Sequence, residues 1–199
     1  MLAGKPAFWS IFIVAMFTWP ILRSLHAERD LSREHRRVLG EVRDFTLRDD
    51  RGGELGSAEL RGRVWVASFA VIECKPTCSA SEHVLTKMAE LRHRTRNLGD
   101  AIRLVTFPLD PDRASATRLN ELSATYRSGR GTWRFVSGPP AEVAAVLGSF
   151  HVTERMTATH LALVDANMQI RGSYDIADEA ALPLLLRDVS LLLAPGGQL

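Results

Sequence analysis

The two cysteines of this chain, Cys74 and Cys78, are separated by three residues and follow a mostly apolar run, residues 63–72. At this spacing the sulfurs can close into a disulfide, or both thiolates can hold one soft metal ion such as Cu(I). The same pair could also be a purely structural disulfide. The sequence therefore predicts a reactive or metal-binding pair at a strand end, with its chemistry still open.

The electrostatic surroundings of the pair favour thiolates. A helix is predicted over residues 81–98, with Ser81 as its N-cap and Gly99 as its stop. The positive end of this helix lies near Cys78 and stabilises a negative sulfur. Lys75 adds a positive charge beside the thiols, which favours thiolate but disfavours a bound cation.

Two sulfurs rarely satisfy a metal ion alone, so a further ligand is expected among the six histidines. Four of them fall in a charged N-terminal stretch or on the predicted helix, where solvent exposure is the simpler interpretation: His26, His35, His83 and His93. His151 and His160 remain. His160 opens a predicted strand whose end could meet the cysteine loop. Spacing alone leaves it open whether His160 is a ligand or an ordinary loop histidine.

Strands and helices alternate along the chain and must position these residues. Apolar and β-branched segments predict strands over residues 45–47, 63–69, 101–107, 132–136, 160–164 and 169–174. Helical spacing and capping residues predict helices over residues 57–60, 81–98, 115–126, 139–147 and 177–194. This alternation predicts an α/β fold with a central β-sheet covered by helices on both faces.

Length and composition fit one globular domain. The chain has 199 residues, of which 46% are apolar and 24% are charged, enough for one full-sized core. Its net charge is +2, from 25 basic and 23 acidic residues. Without a long block of one sign, this balance gives no indication of a nucleic-acid partner.

The N-terminal segment has the composition of a membrane anchor. Residues 6–22 are 17 consecutive uncharged residues between Lys5 and Arg23, a length at the short end for a transmembrane helix. Trp9 and Trp19 near its ends suit the headgroup regions of a bilayer. We predict a single-pass N-terminal transmembrane helix, with a cleaved signal peptide as the alternative.

The chain is thus divided into an anchor at residues 1–25, a charged stalk at residues 26–41 and one domain over residues 42–199. Two cysteines behind a membrane signal suggest an oxidising or metal-handling compartment. Large domains are translocated with little regard to flanking charges. We therefore expect the protein in the bacterial cytoplasmic membrane, with its soluble domain in the periplasm.

Four sequence blocks stand in order along the domain: SFAVIECKPTC at 68–78, LVTFPLDPDR at 104–113, TWRFVSG at 132–138 and THLALVD at 159–165. In this order they resemble the SCO/SenC family of membrane-anchored copper proteins, which assemble cytochrome c oxidase. The resemblance extends over residues 42–193 and includes the anchor. It implies that the predicted sheet and helices form a thioredoxin-like fold.

The resemblance also implies a metal site and a partner. In that family two cysteines and a distal histidine bind one copper ion, Cu(I) or Cu(II), which corresponds here to Cys74, Cys78 and His160. A site with three protein ligands stays open for transfer to a copper-receiving oxidase subunit or another copper-site protein. Asp110 matches an acidic position near the copper loop; it either steers a ligand or partner, or only caps a turn.

Several positions differ from the family pattern. Lys75 and Ser79 stand where proline is usual, and Ala114 replaces an acid. Thr159, before the histidine, also stands where an acid is common, and Val71-Ile72 replaces an aromatic-threonine pair. These differences leave the three implied ligands in place.

Two alternatives to a copper metallochaperone remain open from the sequence. The first is a thiol-disulfide oxidoreductase that acts on the cysteines of a copper-site partner, with Cys74 and Cys78 as its catalytic pair. Thioredoxin-type enzymes normally place two residues between their cysteines, so the longer spacing favours copper. The second is a binding module in which the disulfide only braces the loop.

Overall fold

The computed structural model describes residues 38–73, 79–126, 131–151 and 159–194, together with Met16 and Thr18. The chain divides into two units, Met1–Arg37 and Val38–Leu199, and the fold described below is that of the second. Within the described residues, no helix has both the length and the apolar character needed to cross a membrane. The predicted anchor at residues 6–22 lies outside them, apart from Met16 and Thr18.

A mixed β-sheet forms the centre of the second unit. Its strands are β1 (Gly40–Glu41), β2 (Thr46–Asp49), β3 (Glu54–Gly56), β4 (Val64–Ala70), β5 (Ile102–Pro108), β6 (Trp133–Ser137), β7 (His160–Val164) and β8 (Gln169–Asp175). Their order across the sheet, among the described residues, is β1-β8-β7-β4-β5-β6-β2-β3. Strands β4, β5 and β6 run parallel, whereas β7 pairs antiparallel with both β4 and β8.

Helices connect the strands in the predicted α/β alternation. The α-helices are α1 (Ser57–Leu60), α2 (Ser79–Thr95), α3 (Ala116–Thr125), α4 (Pro140–Ser149) and α5 (Ala181–Leu193). Short 3-10 helices follow α2 at Arg96–Ala101 and β5 at Pro111–Arg113. Ser115 caps α3 as predicted, since its hydroxyl accepts a hydrogen bond from the Arg118 backbone NH at 3.3 Å.

Both faces of the sheet are covered, because successive side chains of a strand point to opposite sides. Along β4, Val64 and Val66 belong to a core that includes the buried side chains of α2, α3 and α5. Trp65 and Phe69 belong to a second core that includes buried residues of α4 and of the β2-β3 hairpin. The prediction of a central sheet with helices on both faces is therefore confirmed.

A buried polar cluster joins the three parallel strands at the middle of the sheet. The Thr106 hydroxyl lies 2.8 Å from the Ser68 hydroxyl and accepts a hydrogen bond from the Trp133 indole NH at 2.9 Å. All three residues are fully buried. Because each polar group finds a partner, the hydrogen bonds offset the cost of burying these groups and fix the strands relative to one another.

The structure corrects some of the predicted boundaries. Gly40 and Glu41, assigned to the stalk, pair with β8 as an edge strand. The first long helix begins at Ser79 rather than at Ser81, whose hydroxyl binds the Val71 backbone NH instead of capping the helix. The last helix begins at Ala181, because the preceding residues form turns that Asp178 stabilises by accepting a hydrogen bond from the Ala180 NH.

Candidate metal centre

The described chain stops one residue before Cys74, and the segment leading to that cysteine is held in place by Asp110. One carboxylate oxygen of Asp110 accepts a hydrogen bond from the Ile72 backbone NH at 2.7 Å, and the other accepts one from the Glu73 NH at 2.9 Å. Asp110 lies two residues after the end of β5, next to Leu109, whose NH donates to the Ala70 carbonyl at 2.9 Å. The carboxylate therefore fixes the entry to the cysteine loop.

Two further side chains hold the same segment from the helical layer. The Ser81 hydroxyl on α2 accepts a hydrogen bond from the Val71 NH at 2.9 Å. The Arg118 guanidinium on α3 donates to the Ile72 carbonyl at 3.3 Å and forms an ion pair with Glu121 at 2.8 Å. Asp110, Ser81 and Arg118 thus provide hydrogen-bond partners for backbone groups of residues 71–73, where strand pairing has ended.

Cys74 and Cys78, together with the residues between them, lie outside the described residues. Ser79, the next residue after Cys78, is the first residue of α2, which runs for 17 residues. The unpaired backbone NH groups and the dipole of such a helix place partial positive charge at its N-terminus. The predicted electrostatic preference for a thiolate at Cys78 thus has a helix start beside it.

His160 is the first residue of β7, and its position follows from the pairing of β7 with β4. The two strands are antiparallel, with Leu161 opposite Ser68. The start of β7 therefore lies at the end of β4 from which the chain continues toward Cys74. His160 and Phe69 line the same cavity, of about 200 Å³.

That cavity is largely apolar. Its lining includes Phe69, Phe150 and Ile170, and both His151 and His160 contribute to it. The rings of Phe69 and Phe150 meet edge to face with centroids 5.2 Å apart. An imidazole beside such surfaces is partly shielded from water, and His160 is indeed half-buried.

The ring of His160 takes part in a polar contact at the sheet surface. Its Nδ1 atom lies 3.0 Å from the Thr159 hydroxyl oxygen. Asp175 stands opposite His160 in the β7-β8 ladder. The Ala177 backbone NH lowers the pKa of the Asp175 carboxyl below its usual value despite some burial, and the nearby Thr159 hydroxyl and the charge of His160 lower this pKa further.

The remaining described histidines have other surroundings. His83 lies on α2 with Nε2 3.2 Å from the Ile176 carbonyl oxygen, and His93 is exposed near the end of the same helix. His151 has a left-handed backbone with φ of 52°, an uncommon conformation for a residue with a side chain. None of the three has the strand-end position of His160.

The structure places His160, one of the predicted ligands, at the same end of the sheet as residues 71–73, which lead into the cysteine loop. The two predicted thiol ligands lie outside the described residues. Within the described residues, no three His, Cys, Asp or Glu side chains form a group that could hold a metal ion. Sequence reasoning missed Ser81, Arg118 and Asp175. Ser81 and Arg118 bond to residues 10 and 46 positions away along the chain, and Asp175 pairs with His160, 15 positions away. Only the polar type of Ser81 and Arg118 near the loop could have drawn attention to them.

Comparison with known proteins identifies the family. Residues 34–190 match the model of the SCO1/SenC family, which covers most of the chain. The chain belongs to the SCO1/SenC family. The resemblance carried by the four sequence blocks is therefore confirmed.

A curated relative is distant from this chain in sequence. The SCO1 protein homolog of Bacillus subtilis is 26% identical over 98 residues, which span 49% of this chain and 49% of that protein. The alignment thus covers only about half the length of this curated relative.

Solved structures extend the likeness over more of the fold. BsSco, a member of the Sco family of cytochrome c oxidase assembly proteins in which a disulfide switch was identified, has a TM-score of 0.66 at 22% identity over 78% of this chain and 95% of its own. Copper-bound ScoI from Bradyrhizobium japonicum has a TM-score of 0.60 at 19% identity over 74% and 98% of the two chains. At these identities the likeness establishes the thioredoxin-like fold.

Proposed function

We propose that this protein is a membrane-anchored copper metallochaperone that binds copper through Cys74, Cys78 and His160 and delivers it for cytochrome c oxidase assembly. The observation that carries the proposal is the antiparallel β4-β7 pairing, which places His160 at the strand end from which the chain runs to Cys74. Membership in the SCO1/SenC family and the copper-bound relative support the same reading.

The donor set suits copper in both oxidation states. Soft thiolates favour Cu(I), and imidazole binds Cu(I) and Cu(II) alike. Three protein ligands leave room for a ligand from a receiving protein, so transfer can begin before the donor site is fully broken. The hydrogen bonds of Asp110 to Ile72 and Glu73 hold the approach to Cys74 and reduce the ordering required when metal binds.

The anchor and the receiving protein are part of this proposal. The uncharged segment at residues 6–22 tethers the domain to the bilayer, with the domain on the periplasmic side. The receiver is an oxidase subunit or another protein that contains a copper site. A tether confines both partners to one membrane, which raises the effective concentration of the donor near its receiver.

A copper titration of the reduced full-length chain in detergent tests the ligand set. Cu(I) affinity is measured by competition with a chromophoric chelator, and Cu(II) binding by electron paramagnetic resonance. We expect His160→Ala to weaken copper binding at least tenfold. The matched control is His151→Ala, which removes the other imidazole lining the same cavity and should leave affinity unchanged. Equal affinities for His160→Ala and the parent would refute the three-ligand site.

The second candidate function is thiol-disulfide exchange, and the start of α2 next to Cys78 favours it. One thiolate attacks a partner disulfide and forms a mixed disulfide. The other cysteine, as thiolate, then displaces the partner, which leaves as a dithiol after taking up two protons. The chain retains the Cys74-Cys78 disulfide until an external dithiol reduces it.

Measuring the reduction potential of the pair separates the two candidate functions. A potential in the range of dithiol exchange, together with reduction of a copper-site peptide disulfide that is equally fast in His160→Ala, would support the oxidoreductase. A pair that exchanges only slowly and binds copper tightly would support the metallochaperone.

A further inference from the structure

We infer that the end of the domain opposite the cysteine loop is a docking surface for an anionic lipid bilayer. This surface, called the basic end below, consists of the exposed Leu98 and the arginines around it: Arg63, Arg92, Arg94, Arg96 and Arg103. The inference goes beyond the proposed function, because the basic end lies away from the proposed copper ligands and its role does not depend on copper.

The basic end lies where α2 stops and where β4 and β5 begin. The last turn of α2 carries Arg92 and Arg94, and the following 3-10 helix, Arg96–Ala101, leads directly into β5. Strand β4 starts beside it, since Val64 pairs with Ile102 in the parallel β4-β5 ladder. These segments therefore meet at one end of the sheet, whereas the chain leaves the other end of β4 toward the cysteine loop.

Two acids lie among these arginines, and both are engaged. The Arg103 guanidinium donates to an Asp100 carboxylate oxygen at 2.8 Å, and the Arg63 guanidinium donates to the Asp100 backbone carbonyl at 2.8 Å. Arg94 donates two hydrogen bonds to one carboxylate oxygen of Glu90, at 3.0 and 2.7 Å. The two acids offset only part of the charge of the arginines, so the basic end carries a net positive charge.

Leu98 gives the basic end an apolar tip. The residue is 40% exposed, and the chain turns directly after it at Gly99, whose φ of 54° favours glycine. A single exposed leucine is ordinary on a protein surface, but this one lies two residues from Arg96, which is exposed and pairs with no acid within the described residues. Arginines around an apolar side chain suit an anionic bilayer, because headgroups attract the cations and the acyl boundary accepts the leucine.

The combination of charge and apolar surface favours a bilayer over other occupants. The dipole of α2 explains cations in its last turn, but it does not explain Arg63 and Arg103 at the starts of β4 and β5 or the exposure of Leu98. A second copy of this chain would bring two positive surfaces together. A soluble polyanion would satisfy the arginines but would offer Leu98 no apolar environment. An anionic bilayer satisfies both.

Docking of the basic end would determine which way the cysteine loop faces. Helix α2 runs from Ser79, next to Cys78, to Thr95 in the midst of the basic end, and its 17 residues span about 25 Å. A domain that rests on the bilayer by the basic end therefore turns the cysteine loop toward the aqueous side, where a partner can approach it.

A fluorescent probe next to Leu98 tests the inference on the full-length chain in vesicles. The exposed Asn97 is changed to cysteine in a chain with Cys74→Ser and Cys78→Ser, and an environment-sensitive dye is attached. With phosphatidylglycerol in the vesicles, we expect the emission to rise and shift to shorter wavelength, and to revert at high salt. The same dye attached through Asp112→Cys, an exposed position near the cysteine loop, should remain in water.

Charge variants separate attraction to the bilayer from a structural role. Arg94→Gln with Arg96→Gln should lower the ratio of docked to undocked chains about fivefold for each arginine removed. Arg94→Lys with Arg96→Lys should keep this ratio, because lysine retains the charge although it loses the paired hydrogen bonds to Glu90. Arg113→Gln is the matched control, since it removes an exposed cation at the other end of the domain, and it should leave the ratio unchanged.

A dye that stays in water on phosphatidylglycerol vesicles would overturn the inference. So would an equal shift on pure phosphatidylcholine, since the contact would then come from the tether alone. A shift produced by soluble polyglutamate, but not by the anionic lipid, would overturn it in favour of an acidic protein partner. The measurement needs no copper, so its outcome is independent of the copper titration that tests the proposed function.

Discussion

The Asp110 carboxylate accepts a hydrogen bond from the Ile72 backbone NH at 2.7 Å, and this contact links the end of β5 to the chain entering the cysteine loop. A second bond to the Glu73 NH uses the other oxygen. We predict that Asp110→Ala lowers the free energy of unfolding by about 1–3 kcal/mol, because two backbone donors lose a charged acceptor. It should also weaken copper binding. Urea unfolding and chelator competition measure the two effects.

Asp112 provides the control for this prediction. It is an exposed acid on the adjacent 3-10 helix, Pro111–Arg113, and Asp112→Ala removes the same charge two residues away. Indistinguishable results for the two variants would show that Asp110 acts only through its general charge.

Ser81 stabilises the same segment by a neutral contact. Its hydroxyl is the acceptor for the Val71 NH at 2.9 Å, and the residue is almost fully buried. Ser81→Ala should cost about 1–2 kcal/mol of unfolding free energy, since a part-buried NH loses its partner. Ser190→Ala on exposed helix surface should change it by less than about 0.5 kcal/mol. Equal effects would contradict the assigned role of Ser81.

Thr106 is expected to be sensitive to the loss of its hydroxyl alone. Thr106→Val keeps the shape but leaves Ser68 and the Trp133 indole without their shared partner. We predict that Thr106→Val lowers the free energy of unfolding by about 2–4 kcal/mol, because both groups are buried. Thr106→Ser, which retains the hydroxyl, should lose less. Faster hydrogen exchange of the Trp133 indole NH in Thr106→Val would show that loss of its hydrogen bond contributes to the destabilisation. Unchanged exchange would exclude that contribution.

Two glycines should respond to alanine in opposite directions. A Cβ atom at Gly56 would lie 2.8 Å from the Phe45 carbonyl oxygen, which accepts a hydrogen bond from Ser57. Gly56→Ala should therefore destabilise the fold by about 1–3 kcal/mol. Gly148 lies in α4, and a Cβ atom added there would have nothing within 4 Å. Gly148→Ala should therefore raise the free energy of unfolding by about 0.5–1 kcal/mol. Denaturant midpoints with unchanged slopes would measure both.

Tyr174 should make the fold sensitive to alkaline pH. Burial, together with its hydrogen bond to Asp188 at 2.6 Å, strongly raises the pKa of this phenol. The folded state thus holds the phenol proton more tightly than the unfolded state, so stability falls as pH rises above about 10, the usual tyrosine value. Tyr174→Phe should flatten this decline relative to the parent. Parallel pH profiles for the two chains would contradict the prediction.

Much of the fold was predictable because local pattern and tertiary environment agree. The apolar run that becomes β4 has the length and β-branched content of a buried strand, and Ser115 caps α3 as its type and position indicate. β1 was missed because two residues, Gly40 and Glu41, carry no periodic signal. That strand exists because β8 offers it an edge to pair with.

The site was predictable only in its residue types. Cysteines, histidine and the family resemblance point to Cys74, Cys78 and His160 as ligands, which stays a prediction, whereas the surroundings of His160 depend on strand register. Nothing local relates Asp175 to His160, because their relation is set by the β7-β8 ladder. Ser81 was expected at a helix cap because its type suits one, but the backbone NH of Val71 competes successfully for its hydroxyl.

The β7 ladder also bears on how this protein can diverge. His160 is placed by the pairing of β7 with β4 and β8 and by the adjacent hydrogen bond from Ile176 to Thr159, so its position does not depend on the length of the segment between α4 and residue 159. Small insertions or deletions in that segment should therefore be tolerated without displacing the imidazole. A single-residue insertion within residues 161–164 would instead shift the register and turn alternate side chains to the opposite face.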